Sequence, residues 1–390
     1  MKVKVVKLVP IEYINRSRDI RELSALLELG CEVVVLAKES KTPVEYEYPV
    51  KGLNTRPLEK WISNPTINRF ASLFTWAKAT RREKAQIISC HDIICLFIGW
   101  LSTIGQKNKP KLVYDSHEFE YARNENRSKL QNSFIKHLER FLIKRSAMTM
   151  MVDDSIADEV KKLHHLTFRP VVVRNFPYRW TLDESVIAQN RKIFRAEHQI
   201  PEDATVFIYH GGLIPNRGVE NAIKAIANVD GAYLLILGNA QRKDYYEGLK
   251  QLAMESASDR IIFHPAVPYS ELRKYPGIAD VGLCILENVC LNHYYALPNK
   301  FSEYIQCLVP PIVSNFPELK LLTEKYNIGE LCDPDDISSL TGAMKKLQGD
   351  KALLATYKKN LVKAKNDLCW EEESKVLKEA YLPLITACSK

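Results

Sequence analysis

The chain has 390 residues, of which 46% are hydrophobic and 26% charged, and its formal net charge is +8 at pH 7. This length predicts two domains of roughly 150–200 residues each, and the positive charge favours an anionic partner: a nucleotide, a phospholipid surface or a nucleic acid. No apolar run reaches the ~20 residues that cross a bilayer and the opening MKVKVVKLVP is too short for a signal peptide, so we expect a cytoplasmic protein that does not span a membrane.

The first half of the chain alternates apolar, strand-like runs with helical patterns. Such repeated βα units predict a parallel sheet with helices on both faces, which makes the fold class α/β. In chain order the strand-like runs are VKVVKLV, EVVVLA, QIISC, LVYDS, MTMMV and PVVV, and the helical patterns are DIRELSALLEL, TINRFASLFTWAKATRREK and SKLQNSFIKHLERFLIKRS.

The last of these helical patterns is amphipathic. Its apolar residues are Phe134, Ile135, Leu138, Phe141 and Leu142, and its basic residues are Lys136, Arg140, Lys144 and Arg145. A helix lying on an anionic membrane surface has this pattern, and so does an ordinary helix packed on a core with a solvated outer face. Both interpretations stay open, the second being the more common.

The second half repeats the βα rhythm and predicts a second doubly wound domain. Its strand-like runs are TVFIYH, YLLILG, IIFH, DVGLCIL, PPIVSN and IGELCDP. The segment between the halves, RNFPYRWTLDESVIAQNRK, is polar and has no strand pattern, so we place the boundary near 178–195. We predict an N-terminal domain over 1–180, a C-terminal domain over 195–368, and a C-terminal helix over 369–390 that packs back toward the N-terminal domain.

The nine cysteines are scattered along the chain. The short spacings, from Cys90 to Cys95 and from Cys284 to Cys290, match no zinc or redox pattern. We expect reduced, mostly buried thiols and no metal site.

In open α/β sheets, ligands bind beyond the carboxyl ends of the strands. At one such point, in IYHGGLIPNRGVE, Gly211 and Gly212 follow a strand and Arg217 opens a helix. Glycines let a backbone approach a phosphate closely, a helix N-terminus presents free N–H groups, and arginine is a permanent cation. A Gly-Gly pair by itself is more often only a turn.

A second candidate lies in YALPNKFSEYIQ. On a helix that begins near Pro298, the side chains of Asn299, Lys300 and Glu303 share one side of the first turns. The alternative is a surface Lys–Glu pair worth a few tenths of a kcal/mol. If this helix follows a strand of the same sheet, Lys300 reaches the anion predicted at the glycine turn.

These segments resemble, in order along the chain, the C-terminal domain of the retaining glycosyltransferases of the GT-B fold in the large family 4, also called group 1. The matching segments are YHGGLIPNRGVENAIKAI, LLILGNA, IIFHPAVPYSELRKY, ADVGLCIL, YALPNKFSEYIQCLVPPIVSN and IGELCDPDD; the first half matches more loosely through LLELGCEVVVLA, LVYDSHEFE and VVVRNFP. The resemblance implies two Rossmann-like domains that face each other across a cleft.

The resemblance also implies roles for individual residues. Glu303 would hydrogen-bond the ribose hydroxyls of a nucleotide-sugar, Arg217 and Lys300 would neutralise the diphosphate leaving group, and His117 in DSHE would stand at the cleft facing the donor sugar and the acceptor. His117, Arg217 and Lys300 would be the catalytic residues. The remaining contacts with the nucleotide-sugar would come from Gly211, Gly212, Asn239, His264, Val267, Asn292, Leu297 and Asn299.

The sequence departs from the family at several positions. Tyr295 stands where a second glutamate often lies, so Asn292 or main-chain groups near Leu297 are left for that sugar contact, and Gly212 replaces a common arginine. The glycine-rich turn after the first strand is absent. In its place Arg16 and Arg18 either contact an anionic acceptor or are simply solvated.

The implied reaction is transfer of a hexosyl or N-acetylhexosaminyl group, with retention, from a nucleoside-diphosphate sugar to a hydroxyl of a glycan or lipid-linked acceptor in cell-surface polysaccharide or glycoconjugate synthesis. UDP is the expected nucleotide, and no cofactor and no nucleic acid are expected. A lipid-linked acceptor would bring the protein to the cytoplasmic face of an anionic membrane. Two alternatives remain: a nucleotide-sugar epimerase of the same fold, and a non-catalytic basic module that binds membranes.

Overall fold

The computed structural model describes residues 2–13, 17–40, 45–55, 64–121, 123, 127–257 and 259–389. It divides into two compact units: residues up to Asn175 together with those from Glu373 onward, and the segment Phe176–Glu372. Arg16, one of the two arginines predicted near the first strand, lies outside the described residues.

The first unit is a seven-stranded parallel sheet in the order β3-β2-β1-β4-β5-β6-β7; among the described residues, a helix connects each strand to the next along the chain except between β2 and β3. Its elements are β1 (Lys4–Glu12), α1 (Ser17–Glu28), β2 (Glu32–Lys38), β3 (Val50–Leu53), α2 (Pro65–Arg82), β4 (Ile87–His91), α3 (Asp92–Thr103), β5 (Lys111–Asp115), α4 (Lys129–Ile143), β6 (Met148–Met151), α5 (Asp154–His164) and β7 (Val171–Val172).

The second unit is a six-stranded parallel sheet in the order β10-β9-β8-β11-β12-β13. Its elements are α6 (Glu184–Glu197), β8 (Val206–His210), α7 (Val219–Ile226), β9 (Tyr233–Leu237), α8 (Lys243–Ala257), β10 (Ile261–His264), α9 (Tyr269–Leu272), a 3₁₀ turn (Pro276–Ile278), β11 (Val281–Cys284), α10 (Leu291–Tyr295), α11 (Asn299–Gln306), β12 (Pro311–Ser314), α12 (Pro317–Tyr326), β13 (Glu330–Cys332), α13 (Ile337–Gly349) and α14 (Lys351–Asp367). The final helix, α15 (Trp370–Ser389), begins here and continues into the first unit.

Local sequence explains where several helices begin. Ser128 caps α4 in a capping box with Gln131, and the Asp153 side chain accepts the Ile156 N–H at the start of α5. Each cap satisfies backbone donors that a helix start leaves free. Among the described residues, none of the helices combines the length and the apolar character needed to span a bilayer.

The buried strands of both sheets bear out the α/β prediction. Strands β8 and β9 show this pattern. Both are almost fully buried, and helices cover both faces of their sheet. Continuous apolar runs of this kind are what a parallel sheet covered on both faces requires.

Candidate functional site

Three loops meet at the carboxyl edge of the second sheet, where Gly211 and Gly238 follow β8 and β9. Gly211 adopts a φ of 122°, which side-chain-bearing residues rarely adopt, and its carbonyl oxygen lies 1.9 Å from where a Cβ on Gly238 would be. The Asn239 side chain accepts the Ala266 N–H at 3.0 Å, and the Gly238 N–H donates to the His264 carbonyl at 3.0 Å. These contacts hold the loops after β8, β9 and β10 together.

Arg217 stands just before α7 and is half-buried. Gly218 follows it with a φ of 74°, packed so closely on Ile285 that a Cβ would come within 2.4 Å of that side chain. Burial raises the pKa of the Cys284 thiol to about 12, and the positive charges of Lys300 and Arg217 oppose that rise. Both cations therefore lie near the end of β11, at the same edge of the sheet.

Lys300 is buried, with 9% of its surface exposed, in the first turn of α11. Its Nζ has no hydrogen-bond partner and lies 3.7 Å from the centre of the Tyr209 ring, an arrangement that a cation–π attraction favours. Burying an ammonium group without a bonded carboxylate costs free energy of folding. Its position is what a bound anion would stabilise.

Glu303 is also buried, with 7% of its surface exposed. Burial raises its pKa to about 7, and the charge of Lys300 opposes the rise. The neighbouring titratable side chain is the buried His210, whose Nδ1 lies 3.6 Å from Glu303 Oε2, too far for a hydrogen bond. Burial, aided by Lys300, lowers the pKa of His210 to about 3, so this imidazole is neutral. The carboxylate of Glu303 thus keeps its hydrogen-bonding capacity for a ligand.

The surface-pair interpretation of Lys300 and Glu303 is wrong. Both side chains are buried, and no ion pair between them is found among the described residues. Phe301, Tyr304 and Ile305 pack into the core on the other side of α11, as the helical spacing predicts.

The other predicted residues of the second unit lie around this edge in different ways. Asn239 is exposed, and the His264 ring is half-buried against Tyr275, with Nδ1 2.8 Å from the Pro265 carbonyl. Gly212 is exposed and its carbonyl accepts the Tyr209 hydroxyl. Of the rest, Val267 and Asn292 are half-buried in their loop and helix, Leu297 packs on the core, and Asn299 is exposed at the first position of α11.

In the first unit, His117 follows β5 and is held by two carboxylates. Its Nε2 lies 2.9 Å from Asp115 Oδ2, and its backbone N–H donates to Asp92 Oδ1 at 3.1 Å. Its ring centre is 3.7 Å from that of His91. Burial lowers the pKa of His117 to about 4, against the pull of Asp115.

The Asp115 contact decides which nitrogen of His117 carries the proton. Burial acts against ionisation of Asp115, but His117, Lys7 and Arg18 hold the pKa of that carboxyl well below its usual range. An ionised carboxylate can only accept, so Nε2 is the protonated nitrogen of the neutral ring. Nδ1, with no hydrogen-bond partner among the described residues, is left as an acceptor for a hydroxyl.

Arg18 is a structural residue, which corrects both predicted alternatives. It is 4% exposed, bonded to Glu22 at 2.8 Å, to Asp115 at 3.2 Å and to the Val173 carbonyl at 2.8 Å. It is therefore neither solvated nor free to bind an acceptor.

Four side chains of this cluster, Asp19, His91, Asp115 and His117, offer ligand atoms within 4.8 Å of one another. The Lys7 ammonium contacts Asp115, lies 2.8 Å from Glu22 and 3.4 Å from Asp19 Oδ1. Although burial acts the other way, these carboxylates raise the pKa of Lys7 well above its usual value. The Lys7 ammonium thus already supplies positive charge to Asp19 and Asp115, two of these four side chains.

Sequence reasoning missed Tyr209, whose ring packs against Lys300, and His210, which lies beside Glu303. The available signal was their place: they are the last two residues of β8, directly before the glycine turn. An aromatic and a histidine at the carboxyl end of a parallel strand are positioned toward a ligand site.

Comparisons with known proteins identify the family and the fold. Residues 20–176 match the family model described as Glycosyltransferase Family 4, and residues 190–364 match the one described as Glycosyl transferases group 1. An uncharacterised glycosyltransferase of Methanocaldococcus jannaschii is 25% identical over 272 residues, which cover 66% of this chain and 66% of that protein.

Solved structures resemble the whole chain. Sucrose-phosphate synthase from Thermosynechococcus elongatus has a TM-score of 0.75 at 18% identity, covering 98% of this chain and 100% of that one. Anabaena HepE, crystallised in complex with UDP, has a TM-score of 0.76 at 13% identity with the same coverage. At these identities the likeness concerns the fold, and it confirms the predicted pair of Rossmann-like domains. With two family models that together span most of its length, the chain belongs to the group 1 glycosyltransferases of the GT-B fold.

Proposed function

We propose that this protein transfers a hexosyl or N-acetylhexosaminyl group, with retention, from a UDP-sugar to a hydroxyl of a glycan or lipid-linked acceptor. One observation carries the proposal: a buried, unpaired Lys300 lies one helical turn from a buried Glu303 at the carboxyl edge of the second sheet. A diphosphate and a ribose together offer the anion and the hydroxyls that these two groups lack.

The donor's diphosphate is assigned to Lys300, Arg217 and the backbone N–H of Gly212, because the Gly211 N–H already donates to the Leu237 carbonyl at 3.0 Å. Departure of the diphosphate develops negative charge, which these fixed positive groups stabilise without having to reorganise. The ribose hydroxyls are assigned to Glu303, because a carboxylate accepts two hydrogen bonds at once. UDP is preferred because HepE, a protein of the same fold, was crystallised with it.

Retention fits the weak basicity of His117. In the front-face mechanism implied by the family resemblance, the leaving phosphate accepts the proton of the acceptor hydroxyl. His117, neutral because its pKa is lowered to about 4, is a weak base near pH 7. We assign it instead to the sugar and acceptor, as a hydrogen-bond acceptor through Nδ1.

The setting proposed for this reaction is the cytoplasm, at the inner face of a membrane where lipid-linked acceptors of polysaccharide or glycoconjugate synthesis would lie. Thermal-shift measurements with UDP, GDP, ADP, dTDP and their sugars would identify the donor, since a ligand stabilises the protein according to its concentration relative to its Kd. Incubating that donor without acceptor tests the epimerase alternative, because only an epimerase would convert it.

Replacing Glu303 with alanine should weaken UDP binding by about 1.5–3 kcal/mol, the usual cost of losing hydrogen bonds to a charged group. Isothermal titration calorimetry measures this directly. Glu324, 57% exposed on α12, supplies the control, and its alanine variant should bind UDP like the native protein. Unchanged affinity in the Glu303 variant would remove this residue from the nucleotide site.

The affinity for UDP-glucose should rise with pH between about pH 6 and pH 8. The free protein must lose the Glu303 proton to present a carboxylate, and its pKa of about 7 places that loss in this window. Below the pKa the affinity should fall by up to about tenfold for each pH unit. The diphosphate of UDP-glucose does not titrate here, so the profile of a Glu303→Gln variant should be flat. Equal slopes in both proteins would contradict the assignment.

A further inference from the structure

The outer face of α2, α3 and α4 exposes large apolar side chains. Phe70 and Phe74 on α2 are 61% and 66% exposed, and Leu130 and Phe134 on α4 are 83% and 68% exposed. Ile67 on α2, Ile94 on α3 and Phe141 on α4 are also exposed. We call these seven side chains, with the basic residues of the same helices, the α2–α4 face.

The apolar residues of α4 are thus divided between the core and the surface, which leaves both interpretations of this helix open. Leu142 is fully buried, Ile135 and Leu138 are half-buried, and Phe134 points to solvent. A helix packed wholly on a core would have buried Phe134 as well. The pattern of α2 had given no such signal in the sequence.

The charge of the α2–α4 face has one sign. Neither α2 nor α4 carries an exposed acidic side chain: α2 contains no aspartate or glutamate, and Glu139, the acidic residue of α4, is fully buried. Asp92 of α3 is buried as well. The basic residues of α2 and α4 are Arg69, Lys78, Arg81, Arg82, Lys129, Lys136 and Arg140, and Lys144 and Arg145 follow α4 directly.

The apolar side chains cluster toward one end of these helices. Ile67, Phe70, Ile94, Leu130 and Phe134 lie in the first two turns of their helices. In a parallel βα layer the helices begin at the carboxyl edge of the sheet, which is the edge where His117 follows β5. Large apolar groups therefore concentrate on the side of the first unit that carries His117, and most of the basic residues lie in the later turns of α2 and α4.

We propose that the α2–α4 face docks on an anionic lipid bilayer, with the aromatic and aliphatic side chains entering the interface and the basic ones contacting the headgroups. Transfer of exposed Phe and Leu side chains from water into the membrane interface is favourable, and lysines and arginines near an anionic surface add electrostatic attraction. A soluble polyanion would use the charges but would leave Phe70, Phe74 and Phe134 in water. This deepens the acceptor side of the proposed function, because docking holds the His117 edge at the surface where a lipid-linked acceptor lies.

The test is co-sedimentation with vesicles of phosphatidylcholine alone and of phosphatidylcholine with phosphatidylglycerol. An apolar variant carries Phe70→Ser, Phe74→Ser and Phe134→Ser; a charge variant carries Lys136→Gln, Arg140→Gln and Lys144→Gln. The matched control carries Lys359→Gln, Val362→Ser and Lys363→Gln, exposed positions on α14 of the second unit. Circular dichroism verifies that each variant is folded.

The native protein and the control should partition onto the anionic vesicles, and both the apolar and the charge variants should partition at least about tenfold less. No partitioning of the native protein, equal partitioning onto neutral vesicles, or full binding by the apolar variant would overturn the proposal. A change in sedimentation mass in the apolar variant would instead assign the face to a second copy of the chain. UDP calorimetry without lipid distinguishes the docking proposal from the proposed function. Membrane docking can fail while UDP still binds, and UDP binding can fail while the protein still docks.

Discussion

Replacing His117 with alanine is expected to slow sugar transfer by about a hundredfold while leaving the affinity for free UDP unchanged. His117 is assigned to the sugar and acceptor, whereas the nucleotide is assigned to residues of the second unit. An interaction made mainly in the transition state lowers turnover without changing ground-state nucleotide binding. The paired measurement is UDP affinity by calorimetry and initial rate with the donor that the thermal-shift panel identifies.

The tautomer of His117 makes this prediction sharper. Because Asp115 fixes the proton on Nε2, the group offered to the substrate is the Nδ1 lone pair. Asparagine places a carbonyl oxygen near the position of Nδ1, so His117→Asn should recover part of the rate that His117→Ala loses. Full activity in His117→Ala would end the assignment, and a large loss of UDP affinity would make His117 a nucleotide contact or a structural residue.

Asp115 acts through His117 and is a positioning residue. An Asp115→Asn variant keeps the shape but can donate to Nε2, which would move the imidazole proton to Nδ1 and turn the acceptor into a donor. The turnover of the Asp115→Asn variant should therefore fall. In a His117→Asn background, Asp115→Asn should cause no further fall in turnover, because the double variant has no imidazole to orient. A purely structural Asp115 would instead lower stability equally in both backgrounds. Thermal unfolding of all variants separates these outcomes.

The second large effect is expected at Lys300. Replacing it with methionine should weaken UDP binding by about 1.5–3 kcal/mol and slow transfer as well, because the diphosphate is present in the ground state and is the leaving group. Removing this charge also removes the influence that opposes the rise in the pKa of Glu303. Less of Glu303 is then ionised near pH 7, so the loss of affinity should be larger at pH 7 than at pH 8.5.

The same substitution should stabilise the protein without ligand. Lys300 has a buried Nζ with no hydrogen-bond partner, and an apolar side chain of similar length avoids the cost of burying that charge. We expect the free energy of unfolding of Lys300→Met to rise by about 1 kcal/mol, the usual direction when a functional charge is removed. Arg217→Gln is the comparison: Arg217 is half-buried, so its loss should weaken UDP binding without this gain in stability. Lower stability of Lys300→Met together with native UDP affinity would make Lys300 a structural residue.

The local pattern of the sequence was sufficient for the architecture. Alternating apolar runs and helical periods predicted parallel α/β units, and strands such as β8 and β9 lie where continuous apolar runs placed them. The same reasoning pointed to the strand ends, because in such a sheet ligand-binding residues follow the strands. Glycine turns and the Pro298 helix start are local signals of the same kind, and they located Gly211, Lys300 and Glu303.

What surrounds each side chain was decided only by the tertiary structure. The sequence predicts a solvated or ligand-binding Arg18 because its ion-pair partner Asp115 lies 97 residues away in the chain. The sequence leaves a surface pair open as an alternative for Lys300 and Glu303, because the residue that packs against Lys300, Tyr209, belongs to β8, far from α11 in the chain.

The local sequence likewise does not predict that Phe70 and Phe74 are exposed. It also does not predict which nitrogen of His117 carries the proton. A helix period says which residues share a face, but whether that face is covered depends on elements far along the chain. The sequence by itself therefore determined the order of strands and helices and the residues at the strand ends. The fold decided which of these residues are buried, charged and unpaired, because burial and the distances between charges are set by residues that meet only when the chain is folded.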